Sequence, residues 1–278
     1  MKFLVLLAVA FLATATHGRY VEKELVATPW MDRVWLDERE ARIFRGEPAE
    51  IADFPYQLAY LDLTRGGFRC GASAIGQHWS LTAAHCLQTN TPPVSLQLRG
   101  GSTNRNTGGF LFNVQAYWMH PSYNTRLEYD IGIMRTPDSS PIVGTHVAHI
   151  PLPPICPDTE ICCGVCAGVS MLVTGWGSTE TGSTTTLRQL TAPVHEWNDC
   201  MRIWNRNGPS FVCKAVIDGR DTCGGDSGSP LVTGTGANRV QVALVSFGTS
   251  VCGSGSPSVN IRIEHGGVRN WITSHSGI

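Results

Sequence analysis

Asp221-Thr222-Cys223-Gly224-Gly225-Asp226-Ser227-Gly228-Ser229-Pro230 is the stretch from which the rest of this chain can be read. Ser227 stands between glycines and beside a carboxylate. That composition suits a tight turn that exposes a hydroxyl and leaves neighbouring backbone N–H groups free to face a developing oxyanion. A Gly-Asp-Ser-Gly tetrapeptide by itself is equally an ordinary surface turn. What lifts it is company: Leu81-Thr82-Ala83-Ala84-His85-Cys86 lies upstream and Tyr129-Asp130-Ile131-Gly132-Ile133-Met134 between the two.

Around these segments, from Ile43 onward, short β-branched and aromatic runs are broken by Gly, Pro, Ser and Asn. Tyr56–Leu61, Val94–Leu98, Leu111–Val114, Met171–Thr174 and Val240–Val245 each read as a strand. Frequent short strands with turn signals between them predict an all-β barrel or sandwich. Val268, Trp271 and Ile272 fall at i, i+3 and i+4 and predict one helix near the C-terminus. The Pro-rich piece Pro151-Leu152-Pro153-Pro154 looks like a connector between two halves, and no fixed-period repeat is present.

The chain has 278 residues, 42% of them apolar and 15% charged, with a formal net charge of -1. This is a globular composition, which excludes wholesale disorder. Balanced charge leaves no electrostatic footprint for nucleic acid and no basic block for a membrane surface. The longest apolar stretch, Phe3 to Ala13, has 11 residues and is too short to span a bilayer. Preceded by Lys2 and followed by small residues, it has the layout of a secretory signal peptide over 1–18. Cleavage after Ala15 or after Gly18 fits equally. Residues 19–42 are charged, lack Gly and Cys, and read as a removable pro-segment; an N-terminal helix packed on the body is the alternative. A mature body over 43–278 remains, long enough for two small barrels and a cleft. Export would place the 10 cysteines in an oxidising compartment, where an even count reads as disulfides.

Thr82-Ala83-Ala84-His85-Cys86, Asp130-Ile131 and Gly225-Asp226-Ser227-Gly228, in the order His, Asp, Ser, resemble the chymotrypsin/trypsin family of serine endopeptidases. The likeness runs from Ile43 to the C-terminus and is closest in look to insect gut digestive members. It implies two antiparallel six-stranded β-barrels with the cleft between them and a short C-terminal helix. It implies that Ser227 attacks the scissile carbonyl and His85 carries its proton to the leaving amine. Asp130 would orient the imidazole, and the N–H groups of Gly225 and Ser227 would hold the oxyanion. Arg42-Ile43-Phe44-Arg45-Gly46 resembles the activation junction: a protease cutting after Arg42 would free an amine on Ile43 to pair with Asp226. No metal or cofactor is implied. The expected partners are protein or peptide substrates, the activating protease and protein inhibitors; the protein is expected to be a monomer.

Specificity is less sharply marked. Asp221 lies six residues before Ser227, where the trypsin branch places the carboxylate at the base of its pocket, and this implies cleavage after Arg or Lys. Gly248 leaves the pocket mouth open. Phe247 stands in place of the family's usual Trp, and Ser258 where an open pocket usually has Gly. Its hydroxymethyl group would crowd a guanidinium or bind Asp221 and turn it away. A chymotrypsin-like or broad preference therefore stands beside the basic one.

The resemblance also implies bridges Cys70–Cys86, Cys200–Cys213 and Cys223–Cys252. Cys156, Cys162, Cys163 and Cys166 have no family role and read as two local disulfides, with a thiolate metal site as the alternative. Between Leu63 and Leu127 there is no Asp or Glu, so no calcium loop is expected there. After residue 42, Lys214 is a single lysine against fourteen arginines, a usage that keeps its charge at alkaline pH. That suggests an alkaline gut lumen. Two other classes compete: a catalytically idle homologue used as a binding module, which usually lacks a triad residue, and an esterase or lipase. In the latter the histidine comes last in chain order, whereas His85 comes first here.

Overall fold

The apolar runs become the strands of two curled antiparallel sheets. The computed structural model describes residues 43–278 apart from 89–90, 158–159 and 161–162; the leader and pro-segment expected over 1–42 lie outside the described residues. Strand β1 (Glu47–Pro48) belongs to the second sheet. The first sheet is built from β2 (Gln57–Asp62), β3 (Gly67–Ala74), β4 (Trp79–Thr82), β5 (Leu96–Gly100), β6 (Phe110–Asn113), β7 (Ala116–Met119) and β8 (Gly132–Arg135). Its spatial order is β6-β5-β2-β3-β4-β8-β7.

The two edges of this sheet are halves of one bent strand. Val114 N–H bonds to Leu96 O at 3.0 Å on the β5 side, and Gln115 N–H to Arg135 O at 2.8 Å on the β8 side. The corner closes the sheet into a barrel and satisfies the edge groups that an open sheet would leave unpaired. Counted once, the bent strand brings the seven segments to the expected six strands.

The second sheet adds β9 (Ser170–Gly175), β10 (Arg188–Pro193), β11 (Phe211–Lys214), β12 (Pro230–Thr233), β13 (Val240–Phe247) and β14 (Ser258–Arg262). Its order is β1-β10-β9-β12-β13-β14-β11. An isolated bridge between Val194 and Lys214 closes it, flanked by His195 N–H to Cys213 O at 2.8 Å and Ala215 N–H to Pro193 O at 2.9 Å. The two-residue β1 is an addition to six strands. Lys214 thus sits on the closing seam of this barrel.

Burial follows the pleat. In β5, Leu96, Leu98 and Gly100 point inward while Gln97 and Arg99 are half-exposed. The strand expected over Val94–Leu98 starts only at Leu96, because Pro93–Ser95 forms a 3-10 turn that leaves Val94 80% exposed. A helix not foreseen, α2 (Trp197–Trp204), joins β10 to β11. The helix α3 (Gly266–Ser276) buries Val268, Trp271 and Ile272 as the spacing predicts. It follows β14 of the second barrel, yet these residues share a core with Leu81 and Ile133 of the first. The chain is thereby strapped across both barrels, each buried aliphatic side chain contributing about 1.5–3 kcal/mol.

The three implied bridges are present. Cys70–Cys86 ties β3 to the short α1 (Ala84–Leu87), Cys200–Cys213 ties α2 to β11, and Cys223–Cys252 ties the Ser227 segment to the loop before β14. Of the connector cysteines, Cys156 bonds Cys163 and Cys166 is also disulfide-bonded, which fits the local-disulfide reading; Cys162 lies outside the described residues.

Candidate active site

Strand register brings His85 and Asp130 to one place. Thr82, the last residue of β4, pairs with Gly132, the first of β8, so the segments running off that end of both strands lie side by side. Asp130 enters from a turn in which Leu127 (φ 61°) and Tyr129 (φ 51°) adopt left-handed backbone, a conformation that side-chain-bearing residues hold only when their surroundings impose it. The carboxylate is fully buried and accepts three hydrogen bonds. His85 N–H reaches Oδ1 at 2.8 Å, His85 Nδ1 lies 2.7 Å from Oδ2, and Ser246 Oγ donates to Oδ2 at 2.6 Å. A buried anion without such donors would be costly; with them it becomes a fixed acceptor that sets the ring's orientation and tautomer. Ser246 is the extra residue of a β-bulge in β13, where the β14 register shifts between Val245 and Phe247. The bulge turns its hydroxyl toward Asp130.

Ser227 sits on a turn that glycine alone permits. Gly225 (φ +99°) and Gly228 (φ +78°) flank the Asp226-Ser227 pair. A Cβ on Gly228 would stand 2.3 Å from Thr82 Oγ1, 2.5 Å from Gly71 O and 2.9 Å from Ala83 N. The turn is thus pressed against the segment leading into His85. It is anchored by Gly71 N–H to Ser227 O at 2.9 Å and Gly228 N–H to Val245 O at 2.8 Å, the latter one residue before Ser246. No hydrogen bond within the described residues takes the N–H of Gly225 or Ser227. Ser227 Oγ makes no hydrogen bond to His85 in this structure. Contacts of this kind are often long in the substrate-free state and tighten in the complex.

Behind the turn, Asp226 is fully buried and accepts from Gly177 N–H at 2.7 Å and Cys223 N–H at 2.9 Å. Burial outweighs these donors and pushes its pKa up to about 6. Ile43 is fully buried, and Phe44 O accepts from Asp221 N–H at 3.1 Å, so the start of the described chain lies along the Asp221–Asp226 loop.

The specificity residues are arranged differently from expectation. Asp221 is buried and its Oδ1 lies 3.0 Å from Lys214 Nζ, itself fully buried. Ser258 does not bind Asp221: its Oγ is buried without a hydrogen-bond partner. Gly248 faces it, a Cβ built there lying 3.7 Å from Ser258 Cβ. Phe247 is held edge-on against Trp204 and Phe211, with ring centroids 5.2 and 5.9 Å away.

Sequence reasoning missed two residues. Ser246 carried no signal apart from its place before Phe247-Gly248. Lys214 carried one: it is a lone lysine ending the otherwise apolar run Phe211-Val212-Cys213.

The trypsin family model matches residues 43–272. Serine protease 1 of Drosophila melanogaster is 32% identical over 254 residues, covering 87% of this chain and 89% of the fly protein. Trypsin Blo t 3 of Blomia tropicalis is 30% identical over 84% of this chain and 85% of its own. Trypsin 5G1 of Aedes aegypti is 28% identical over 90% of each. With closed antiparallel sheets, a His–Asp pair at hydrogen-bonding distance and a glycine-framed serine turn packed beside them, this chain belongs to the trypsin family of serine endopeptidases.

Proposed function

We propose that the protein cleaves peptide bonds through His85, Asp130 and Ser227, and that it is made as a secreted precursor switched on by a cut after Arg42. The observation that carries the reading is the buried Asp130 carboxylate, held by Ser246 and bonded to His85 Nδ1 at 2.7 Å. With Nδ1–H donating to Asp130, the other ring nitrogen is left as a base. Ser227 Oγ attacks the carbonyl carbon and its proton passes to His85 Nε2. The N–H groups of Gly225 and Ser227 stabilise the oxyanion, each such donor being worth about 2.7–4 kcal/mol to the transition state. Collapse expels the amine, which takes the proton from His85 and leaves an acyl-Ser227. Water, deprotonated by the same imidazole, then releases the acid.

The signal-like residues 1–18 and the charged 19–42 support export and an activation step; a freed amine on Ile43 would meet Asp226. Secretion into a digestive, alkaline lumen is the setting favoured by the arginine usage. Among the described residues no helix is long and apolar enough to cross a membrane. The experiment is to express the full chain, cut it after Arg42, and add a fluorophosphonate probe and a casein substrate. The expected result is labelling and hydrolysis only after the cut, both lost in Ser227→Ala. Hydrolysis that survives Ser227→Ala would overturn the assignment.

A further inference from the structure

Strand β11 buries every position, and its last residue is a lysine. Lys214 is the single lysine after residue 42 and its side chain is fully buried. Nζ lies 3.0 Å from Asp221 Oδ1, which also accepts Thr222 N–H at 2.8 Å, while Oδ2 accepts Gly253 N–H at 3.3 Å. Both partners are fixed by neighbouring bridges: Cys213, adjacent to Lys214, bonds Cys200, and Cys223, two residues after Asp221, bonds Cys252. Across the ladder Lys214 pairs with Ser258, which faces Gly248.

Resting on the serine-protease reading above, we propose that Lys214 is a specificity-determining residue: by occupying Asp221 it makes the pocket expected at Asp221, Gly248 and Ser258 select an uncharged side chain, aromatic or large aliphatic, before the cut rather than Arg or Lys. A substrate guanidinium or ammonium entering there would meet an acid already paired. It would have to displace Lys214, leaving that ammonium buried without a partner, or remain itself as an uncompensated buried cation. Burial holds the Lys214 pKa below its ordinary value while Asp221 opposes the shift, as expected of a pair closed off from water. An uncharged side chain leaves the pair undisturbed and gains from apolar burial.

The test uses the activated wild-type protein and a peptide library varied at the residue before the cut, so it does not depend on any variant folding. The expected kcat/KM for Phe, Tyr or Leu exceeds that for Arg or Lys at least tenfold. Benzamidine, a cationic probe of an open pocket acid, is expected to inhibit only at millimolar concentration or above. Lys214→Ala should raise relative cleavage after Arg at least tenfold and tighten benzamidine. A wild-type preference for Arg or Lys, or micromolar benzamidine inhibition, overturns the inference, as does a folded Lys214→Ala with an unaltered profile. Fluorophosphonate labelling of Ser227 in the same samples separates the two proposals. Labelled protein with a basic preference refutes the Lys214 assignment alone, whereas unlabelled protein refutes the protease reading beneath it.

Discussion

Asp226→Asn in the uncut chain tests the proposed activation switch. Asp226 is fully buried, and its pKa rises from 3.8 to about 6 because desolvation outweighs the N–H donors of Gly177 and Cys223. Among the described residues no cation lies within ion-pair distance of it. A carboxyl whose folded pKa is raised binds its proton more tightly when folded. Its contribution is therefore fully present below about pH 4 and is lost as pH rises through about 6. A shift of about two units at about 1.4 kcal/mol each amounts to about 3 kcal/mol lost between those limits.

The variant cannot titrate, but its amide nitrogen must face one of the two N–H donors, a pH-independent penalty of about 1–3 kcal/mol. The diagnostic quantity is therefore the pH dependence of the difference. In urea unfolding followed by tryptophan fluorescence, wild type should lose about 3 kcal/mol relative to Asp226→Asn between pH 4 and pH 8. After the cut at Arg42, pairing with the Ile43 amine should remove that loss from wild type and raise its Tm at pH 8. The cut variant should gain nothing and stay inactive. A difference flat with pH, or a cut that leaves the wild-type slope intact, refutes the reasoning.

Other perturbations have expected outcomes of their own. Ser246→Ala removes a 2.6 Å hydrogen bond to the Asp130 carboxylate; at about 1.5–3 kcal/mol for a bond to a charged group, kcat should fall about ten- to a hundredfold with KM nearly unchanged, as steady-state kinetics will show. Gly228→Ala places a Cβ 2.5 Å from Gly71 O at φ +78°, so it should lose more than about 3 kcal/mol in chemical denaturation and activity with it. Burial pushes the Tyr56 pKa to about 12, partly opposed by Arg239. Its raised folded pKa keeps its stability contribution intact below about pH 10, and alkaline titration from 10 to 12 should remove about 2–3 kcal/mol. Tyr56→Phe should flatten that part of the curve.

What the sequence made legible is what rests on local chemistry. Glycines around Ser227 announced a tight turn, and the apolar spacing in Val268, Trp271 and Ile272 announced α3. Three separated motifs sufficed to expect His85 beside Asp130, since the resemblance supplied a register that spacing cannot. The bulge that turns Ser246 toward Asp130 was not legible, because a one-residue slip between β13 and β14 is set by pairing across the sheet. Nor was the partner of Asp221. Lys214 was visible as a rarity in composition, but its meaning depends on the Val194–Lys214 bridge that closes the second barrel and on the two disulfides beside the pair. A contact seven residues away in sequence was hidden because the intervening chain leaves the barrel and returns.

The two buried acids of this loop show why the lysine matters beyond the pocket. Asp221 raises the pKa of Asp226 and Lys214 lowers it, so the two members of the pair act on Asp226 in opposite directions. Asp226 is left with desolvation as its dominant load, which a single incoming amine can relieve. Were Lys214 absent, Asp221 would repel the charge that the proposed activation must create on Asp226. On the proposed activation, one acid is paired in the uncut chain and the other only after cleavage. If both proposals hold, Lys214→Ala is predicted to alter activation as well as specificity. Its cut form should need a higher pH than wild type to ionise Asp226, a displacement readable in the acid limb of the pH–activity profile.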